Sequence, residues 1–180
     1  MHRITKAVLA VAVAIAVLVG AGCADEAAGD RKLAEPSLDA FSRIESDLDV
    51  GVNFVDFGGR LQDANYAVES FTPTTATGES AKSELEQAVK YYVASREAWN
   101  WDNQGAWPAD AETAEHWADD YPEVVEEYSE ITAAYPEIAS GELIDYSEAR
   151  PPRASAQKVR AVAWAVAQRH VNAAMELLEE

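Results

Sequence analysis

The sequence predicts an all-α fold, an antiparallel bundle of about four helices, and three observations support this. Apolar residues recur at three- and four-residue steps through most of the chain from Ser37 onward, as they do along one face of a helix. Stretches rich in proline and glycine interrupt this spacing where short loops would connect helices. No segment alternates apolar and polar residues as a strand does, so amphipathic helices packed on one another are expected.

The first helical stretch begins at Ser37 and contains glycines. Its apolar positions are Leu38, Phe41, Ile44, Leu48, Phe54, Phe57, Leu61, Ala64, Val68 and Phe71. Gly51 and the pair Gly58 and Gly59 interrupt this stripe. Because glycine costs about 1 kcal/mol relative to alanine inside a helix, these positions predict either a break or a close helix crossing. Residues 72–80, TPTTATGES, predict a loop.

Three further helical stretches follow this loop. One carries apolar residues from Ala81 to Trp99 and should end near Asn103, because glycine and proline come next. Another begins near residues 109–111, and Pro122 and Pro136 should each restart a helical turn within it. The last runs from about Ala154 to Leu178 and has two apolar faces, so we expect the other helices to enclose most of it. These faces are Val159, Val162, Val166, His170, Ala173 and Leu177, and Trp164, Val171, Met175 and Leu178.

The N-terminal 22 residues have the three-part plan of a signal peptide. His2, Arg3 and Lys6 precede the run AVLAVAVAIAVLV at 7–19, which has no polar side chain. Small residues at 20–22 then suit peptidase cleavage. The sequence therefore predicts that the rest of the chain lies outside the cytoplasm.

The end of this segment, GAGC at 20–23, resembles the lipobox of bacterial lipoprotein precursors, with Gly20 where that family usually has leucine. The resemblance implies that Cys23 becomes the first mature residue and carries acyl chains. These chains would anchor the protein in the cell membrane or outer membrane, with its domain facing the periplasm or the cell exterior. Two alternatives are ordinary secretory cleavage after Ala24 and retention of the apolar run as an anchor.

The remaining chain is expected to form one domain. Residues 24–36, ADEAAGDRKLAEP, have no apolar periodicity, so we interpret them as a flexible tether that leads from Cys23 to a helical domain at 37–180. Cys23 is the one cysteine, which excludes a disulfide within the chain. The formal net charge of −18 argues against nucleic acid as a partner, because phosphate binding needs a basic surface.

The most unusual stretch lies between Arg96 and Arg150. It contains fifteen acidic residues and no lysine or arginine. Its aromatic residues are Trp99, Trp101, Trp107, Trp117, Tyr121, Tyr128, Tyr135 and Tyr146. Carboxylates among aromatic rings can attract a cationic ligand or a basic protein, and they can equally be a solvated helix face above a core of aromatic side chains. The candidate partner-binding residues are Asp119, Asp120, Glu126 and Glu127.

Catalytic and metal-binding patterns are weak. His116 is four residues from both Glu112 and Asp120, but one helical turn supplies too few metal ligands, and no EF-hand spacing occurs. His170 lies on an apolar stripe and is expected to be a hydrogen-bonded core imidazole. The Ser-x-x-Lys spacing at Ser155 lacks its companion motif, so that serine is interpreted as a helix cap. No metal site, catalytic residue or cofactor is therefore predicted.

The sequence thus favours a lipid-anchored, extracytoplasmic binding protein without enzymatic activity, whose acidic and aromatic face contacts its partner. One alternative is an immunity or inhibitor lipoprotein that neutralises a basic toxin or wall hydrolase. Another is a cell-wall or glycan hydrolase that uses paired carboxylates. A closed bundle would favour interaction, whereas two carboxylates across a groove would favour catalysis.

Overall fold

A computed structural model describes residues 28–103, 111–127 and 156–179, and this part of the chain is helix and loop without a strand. The predicted all-α helical bundle is confirmed. The signal segment, Cys23, residues 104–110 and residues 128–155 lie outside the described residues. The described helices are α1 at 28–50, α2 at Phe54–Ser70, α3 at Ala76–Asn103, α4 at Ala111–Asp120, α5 at Pro122–Glu127 and α6 at Ala156–Leu177.

Neighbouring long helices run in opposite directions. A turn at 51–53 joins α1 to α2. Phe54 at the start of α2 packs against Trp99 near the end of α3, with ring centroids 5.8 Å apart. Glu84 early in α3 bonds to His170 late in α6, at 2.6 Å. The helices α1, α2, α3 and α6 therefore form an up-down-up-down bundle, as antiparallel packing with short connections requires.

The first helix begins earlier than the sequence pattern predicts. Residues 28–36, interpreted above as tether, are helical, and both Asp30 and Ala34 are fully buried. The prediction of a flexible tether is therefore wrong for residues 28–36. It relied on the lack of large apolar side chains, and this segment is buried without them. Leu33, the one large aliphatic residue there, is 47% exposed. Asp30 is instead buried through hydrogen bonds to the threonines that precede α3.

The glycines in the first stripe have two different roles. Gly51 has φ of +91°, a conformation that side chains disfavour, and it ends α1. Asn53 then caps α2, because its side-chain oxygen accepts the backbone N–H groups of Val55 and Asp56, each at 3.0 Å. Gly58 does not break α2 and lies against the side chain of Arg96. Of the two predicted outcomes, Gly51 marks a break and Gly58 a close approach.

The remaining boundaries agree with the sequence except at the loop before α3. That helix begins at Ala76, so the predicted loop at 72–80 is too long. Thr75 shortens it, since its hydroxyl accepts the Gly78 N–H at 2.9 Å and caps the helix. The end of α3 at Asn103 and the helix restart at Pro122 are confirmed.

The core lies between α1, α2, α3 and α6. Phe41 of α1 stacks on Tyr92 of α3 with ring centroids 5.9 Å apart, and both side chains are about 1% exposed. The helix α6 has one wide buried face, which consists of Val159, Ala163, Val166, Ala167, Val171, Ala174 and Leu178. Its opposite face is exposed and includes Met175. The prediction that the other helices enclose most of α6 is therefore wrong. Alanines widen its single buried face, but the second apolar stripe is only partly covered.

Val166 provides a test of this packing. It has no exposed surface, so replacing it by alanine should create a cavity and lower the free energy of unfolding by about 1 to 3 kcal/mol. Urea unfolding followed by circular dichroism measures the change. Val55→Ala is the control, because Val55 is 78% exposed and its truncation should change stability little. Equal midpoints for the two variants would contradict the burial of Val166.

None of the helices in the described part of the chain combines the length and the apolar composition that a membrane span requires.

Candidate functional site: an acidic aromatic pocket

The end of α3 and the neighbouring parts of α2 and α4 surround a cavity of about 510 Å³, which we call the acidic aromatic pocket. Val93, Glu97 and Trp101 follow one another at four-residue steps, so α3 presents them on one face. The aromatic residues that line the pocket are Phe54, Trp101 and Trp117, and the charged ones are Arg96, Glu97 and Asp120.

Glu97 is the most constrained of the charged groups. Its partly buried carboxylate lies beside the side chains of Tyr121 and Trp117 and interacts with both. Burial raises the pKa of Glu97 above its ordinary value, and the charge of Asp120 acts in the same direction, against the effects of Tyr121, Trp117 and Arg96. A carboxylate is therefore held in the wall of the pocket where water only partly solvates it.

Aromatic rings form a continuous layer around this carboxylate. Trp117 is 5% exposed and meets Trp101 edge to face, with ring centroids 5.7 Å apart. Trp117 also contacts Tyr121, at 5.0 Å between centroids. Burial next to Glu97 raises the pKa of Tyr121, so its hydroxyl keeps its proton and remains a donor. These contacts fix the position of α4 on α3 and hold the Trp117 side of the pocket in place.

A second polar cluster fastens α5 beside the pocket. Glu123 of α5 accepts the Tyr91 hydroxyl at 3.0 Å and lies 3.2 Å from Nε2 of His170. Nδ1 of His170 lies 2.6 Å from Glu84, and its ring stacks on Tyr91 with centroids 5.4 Å apart. Burial, followed by the bond to Glu123, raises the pKa of Tyr91 to about 12. The interpretation of His170 as a hydrogen-bonded imidazole is confirmed.

The four predicted partner-binding acids do not all belong to the pocket. Asp119, Asp120, Glu126 and Glu127 are exposed, but of these four only Asp120 lines it. Glu127 pairs with Arg169 of α6, which neutralises part of the acidic face.

Sequence reasoning missed Glu97 and Arg96 as pocket residues. The available signal is the four-residue spacing that places Glu97 on the same face of α3 as Val93 and Trp101. Trp107, Tyr128, Tyr135 and Tyr146 lie outside the described residues.

No group of three acidic, histidine or cysteine side chains that could hold a metal ion occurs within 28–103, 111–127 and 156–179. His116 is exposed on α4, as is Asp120 four residues later. Ser155 lies outside these ranges.

A larger concavity of about 700 Å³ lies at the turn between α1 and α2. Asp47, Asp56 and Asp63 line it, but no aromatic ring does, and its Arg60 already pairs with Asp47 at 2.7 Å. This concavity therefore offers carboxylates and the valines Val50, Val52 and Val55, but no ring face on which a cation could rest.

The acidic aromatic pocket combines ring faces with carboxylates, which suits an organic cation or a basic side chain. Its chemistry has to be inferred from its own residues: no family model, curated protein or solved structure matches this chain.

Proposed function

We propose that this chain is a lipid-anchored, extracytoplasmic binding protein whose acidic aromatic pocket receives the cationic group of a basic protein or small ligand. The observation that carries the proposal is the position of Glu97. Its carboxylate contacts Trp117 and Tyr121 and shares one cavity with Asp120 and Trp101.

The physical chemistry of the pocket supports a cationic group. Aromatic faces attract a cation within about 6 Å of the ring centroid, and the attraction increases when water is excluded. The partly buried carboxylate of Glu97 interacts more strongly with a nearby opposite charge than an exposed one does, because the local dielectric constant is lower. The net charge of −18 would also speed the encounter with a basic partner.

The orientation of the bundle supports a membrane-anchored binding role. Arg31 near the start of α1 lies 3.4 Å from Glu179 after α6, so the start of α1 and the end of α6 occupy one end of the bundle. The pocket lies at the other end, beside the start of α2 and the end of α3. With 1.5 Å per residue, α1 spans about 35 Å, and an anchor at Cys23 would leave the pocket far from the attachment point.

The hydrolase alternative would use the same two carboxylates. Glu97 and Asp120 share a cavity, as a pair of catalytic carboxylates would, and burial raises the pKa of Glu97, as it does for a general acid. The aromatic rings beside Glu97 favour binding of a cationic group, and they are the reason that we propose binding first. An immunity or inhibitor protein against a basic partner would use the pocket in this same way.

The test compares two double variants that remove equal charge. Detergent-solubilised mature protein is titrated with a short oligo-arginine peptide, and binding is followed by calorimetry. Glu97→Gln with Asp120→Asn should weaken binding about tenfold or more, since about 1.4 kcal/mol corresponds to a factor of ten. Asp119→Asn with Glu126→Gln, on exposed positions outside the pocket lining, should weaken it about twofold at most. Equal losses, or no binding by the unmodified protein, would overturn the proposal.

The anchor has its own test. Replacing Cys23 by alanine should abolish incorporation of labelled fatty acid and move the protein from the detergent phase to the aqueous phase. The reason is that its thiol is the one acylation position that the lipobox-like motif supplies. Asp25→Asn is the control and should retain both properties. Undiminished labelling of Cys23→Ala would contradict the anchor.

A further inference from the structure

We infer that the ligand of the acidic aromatic pocket is a small zwitterion of the amino-acid type, with its ammonium group at Glu97 and Asp120 and its carboxylate at Arg96. This inference rests on the proposed function and names the class of ligand. It depends on Arg96, a positive charge in a pocket that is otherwise acidic and aromatic.

The position of Arg96 is built into the fold. Its guanidinium carbon lies 5.2 Å from the ring centroid of Phe54, so the group rests against α2 at the edge of the pocket. A Cβ at position 58 would lie 3.0 Å from Nε and 3.3 Å from Nη2, so the guanidinium would have to move by a few tenths of an ångström. Gly58 therefore provides the space that the guanidinium occupies.

Arg96 and Glu97 present opposite charges to the same cavity without neutralising each other in an ion pair. Consecutive residues on a helix do not face each other, so the two side chains reach the cavity from different sides of α3. Within the described part of the chain, Arg96 makes no ion pair with a carboxylate, whereas Glu97 interacts with the side chains of Tyr121 and Trp117. The planar guanidinium thus keeps donors that match a ligand carboxylate.

The rest of the lining suits an apolar side chain between these two charges. Leu61, Val93, Trp101 and Trp117 supply aliphatic and aromatic surface. The cavity volume of about 510 Å³ lies within the range of small-molecule sites. A simple cation would use the carboxylates but place a like charge near Arg96, whereas a zwitterion would meet both charged groups with opposite ones.

Three probes that share one side chain test this inference at about pH 6, where the free amines are protonated. They are phenylalanine, phenylalanine amide and N-acetylphenylalanine, which are a zwitterion, a cation and an anion. Tryptophan fluorescence and calorimetry should show phenylalanine binding about tenfold or more tightly than the other two. Arg96→Gln should lower the affinity for phenylalanine to that for the amide or below it, and it should not weaken binding of the amide, because it removes a like charge. Glu97→Gln should lower both affinities.

Gly58→Ala is a second variant that displaces the guanidinium without changing any charge. It should weaken binding of phenylalanine and leave binding of the amide unchanged. The melting temperature of the variant is measured first to show that it is folded. If the amide binds as tightly as phenylalanine and its affinity does not change in Arg96→Gln, the inference of a zwitterionic ligand is wrong. The proposed site for a cationic group is then retained. If oligo-arginine binds and all three probes fail, the zwitterion is again wrong. If oligo-arginine also fails, the proposed function fails with it.

Discussion

Replacing Asp30 by alanine should lower the free energy of unfolding by about 2 to 4 kcal/mol, because hydrogen bonds to a buried charge are lost and their donors lose a partner. The Asp30 carboxylate has no exposed surface. It accepts the backbone N–H and the hydroxyl of both Thr74 and Thr75, at distances between 2.6 and 3.0 Å. These bonds attach the start of α1 to the start of α3. Urea unfolding followed by circular dichroism measures the loss.

The same carboxylate should make stability sensitive to acid. Burial acts to raise the pKa of Asp30, but the hydrogen bonds from Thr75 and Thr74 outweigh it and hold the pKa below the usual 3.8. The stabilising contribution is therefore complete above the unfolded-state pKa, and it is lost as the pH falls below about 3.8 through the folded-state pKa.

A pair of asparagine variants checks the result for Asp30. Asp30→Asn should be less stable than the unmodified protein at neutral pH, and the difference should decrease as the pH falls below about 4. Asp39→Asn is the control on the same helix, where the side chain is exposed, and it should follow the unmodified protein at each pH. A constant difference for Asp30→Asn would show that its charge contributes nothing to the attachment of α1.

The bonds of Asp30 also explain why the beginning of α1 could not be predicted. Apolar periodicity correctly indicated α2 and α3, because Phe57, Leu61 and Leu85 are buried at helical spacing. The start of α1 depends instead on hydrogen bonds between polar groups. They join Asp30 to Thr74 and Thr75, which come 44 and 45 positions later in the chain. A pattern search along one helix detects neither the distance nor the polarity of such a contact.

The candidate site was predictable to a similar extent. The acidic block contains Asp120 and Trp117, which line the pocket. In the sequence Arg96 only bounds that block, although it faces the same cavity as Glu97. Glu127 belongs to the predicted partner-binding acids, but Arg169 of α6 pairs with it. Local charge counting fails at these residues because the fold decides which opposite charges meet.

The largest expected effect belongs to Phe57, whose replacement by alanine should lower the free energy of unfolding by about 3 to 5 kcal/mol. Its side chain is 1% exposed. From α2, its ring contacts Tyr92 and Trp99 of α3 and Trp164 of α6, with ring centroids 6.2, 5.7 and 6.2 Å away. One truncation would therefore remove contacts that hold three helices together. The expected loss is a large part of the free energy of unfolding of a typical domain, which is about 5–15 kcal/mol.

Two comparisons make the result for Phe57 decisive. Tyr66→Ala removes an aromatic ring from the same helix at a position that is 72% exposed, and it should cost about 0.5 kcal/mol or less. If Phe57→Ala fails to fold, Phe57→Leu keeps most of the apolar volume and should still unfold cooperatively at a lower urea concentration than the unmodified protein. Should Phe57→Leu match Tyr66→Ala in stability, the ring of Phe57 would not join the three helices. The packing of α2 on α3 would then have to depend on their other contacts.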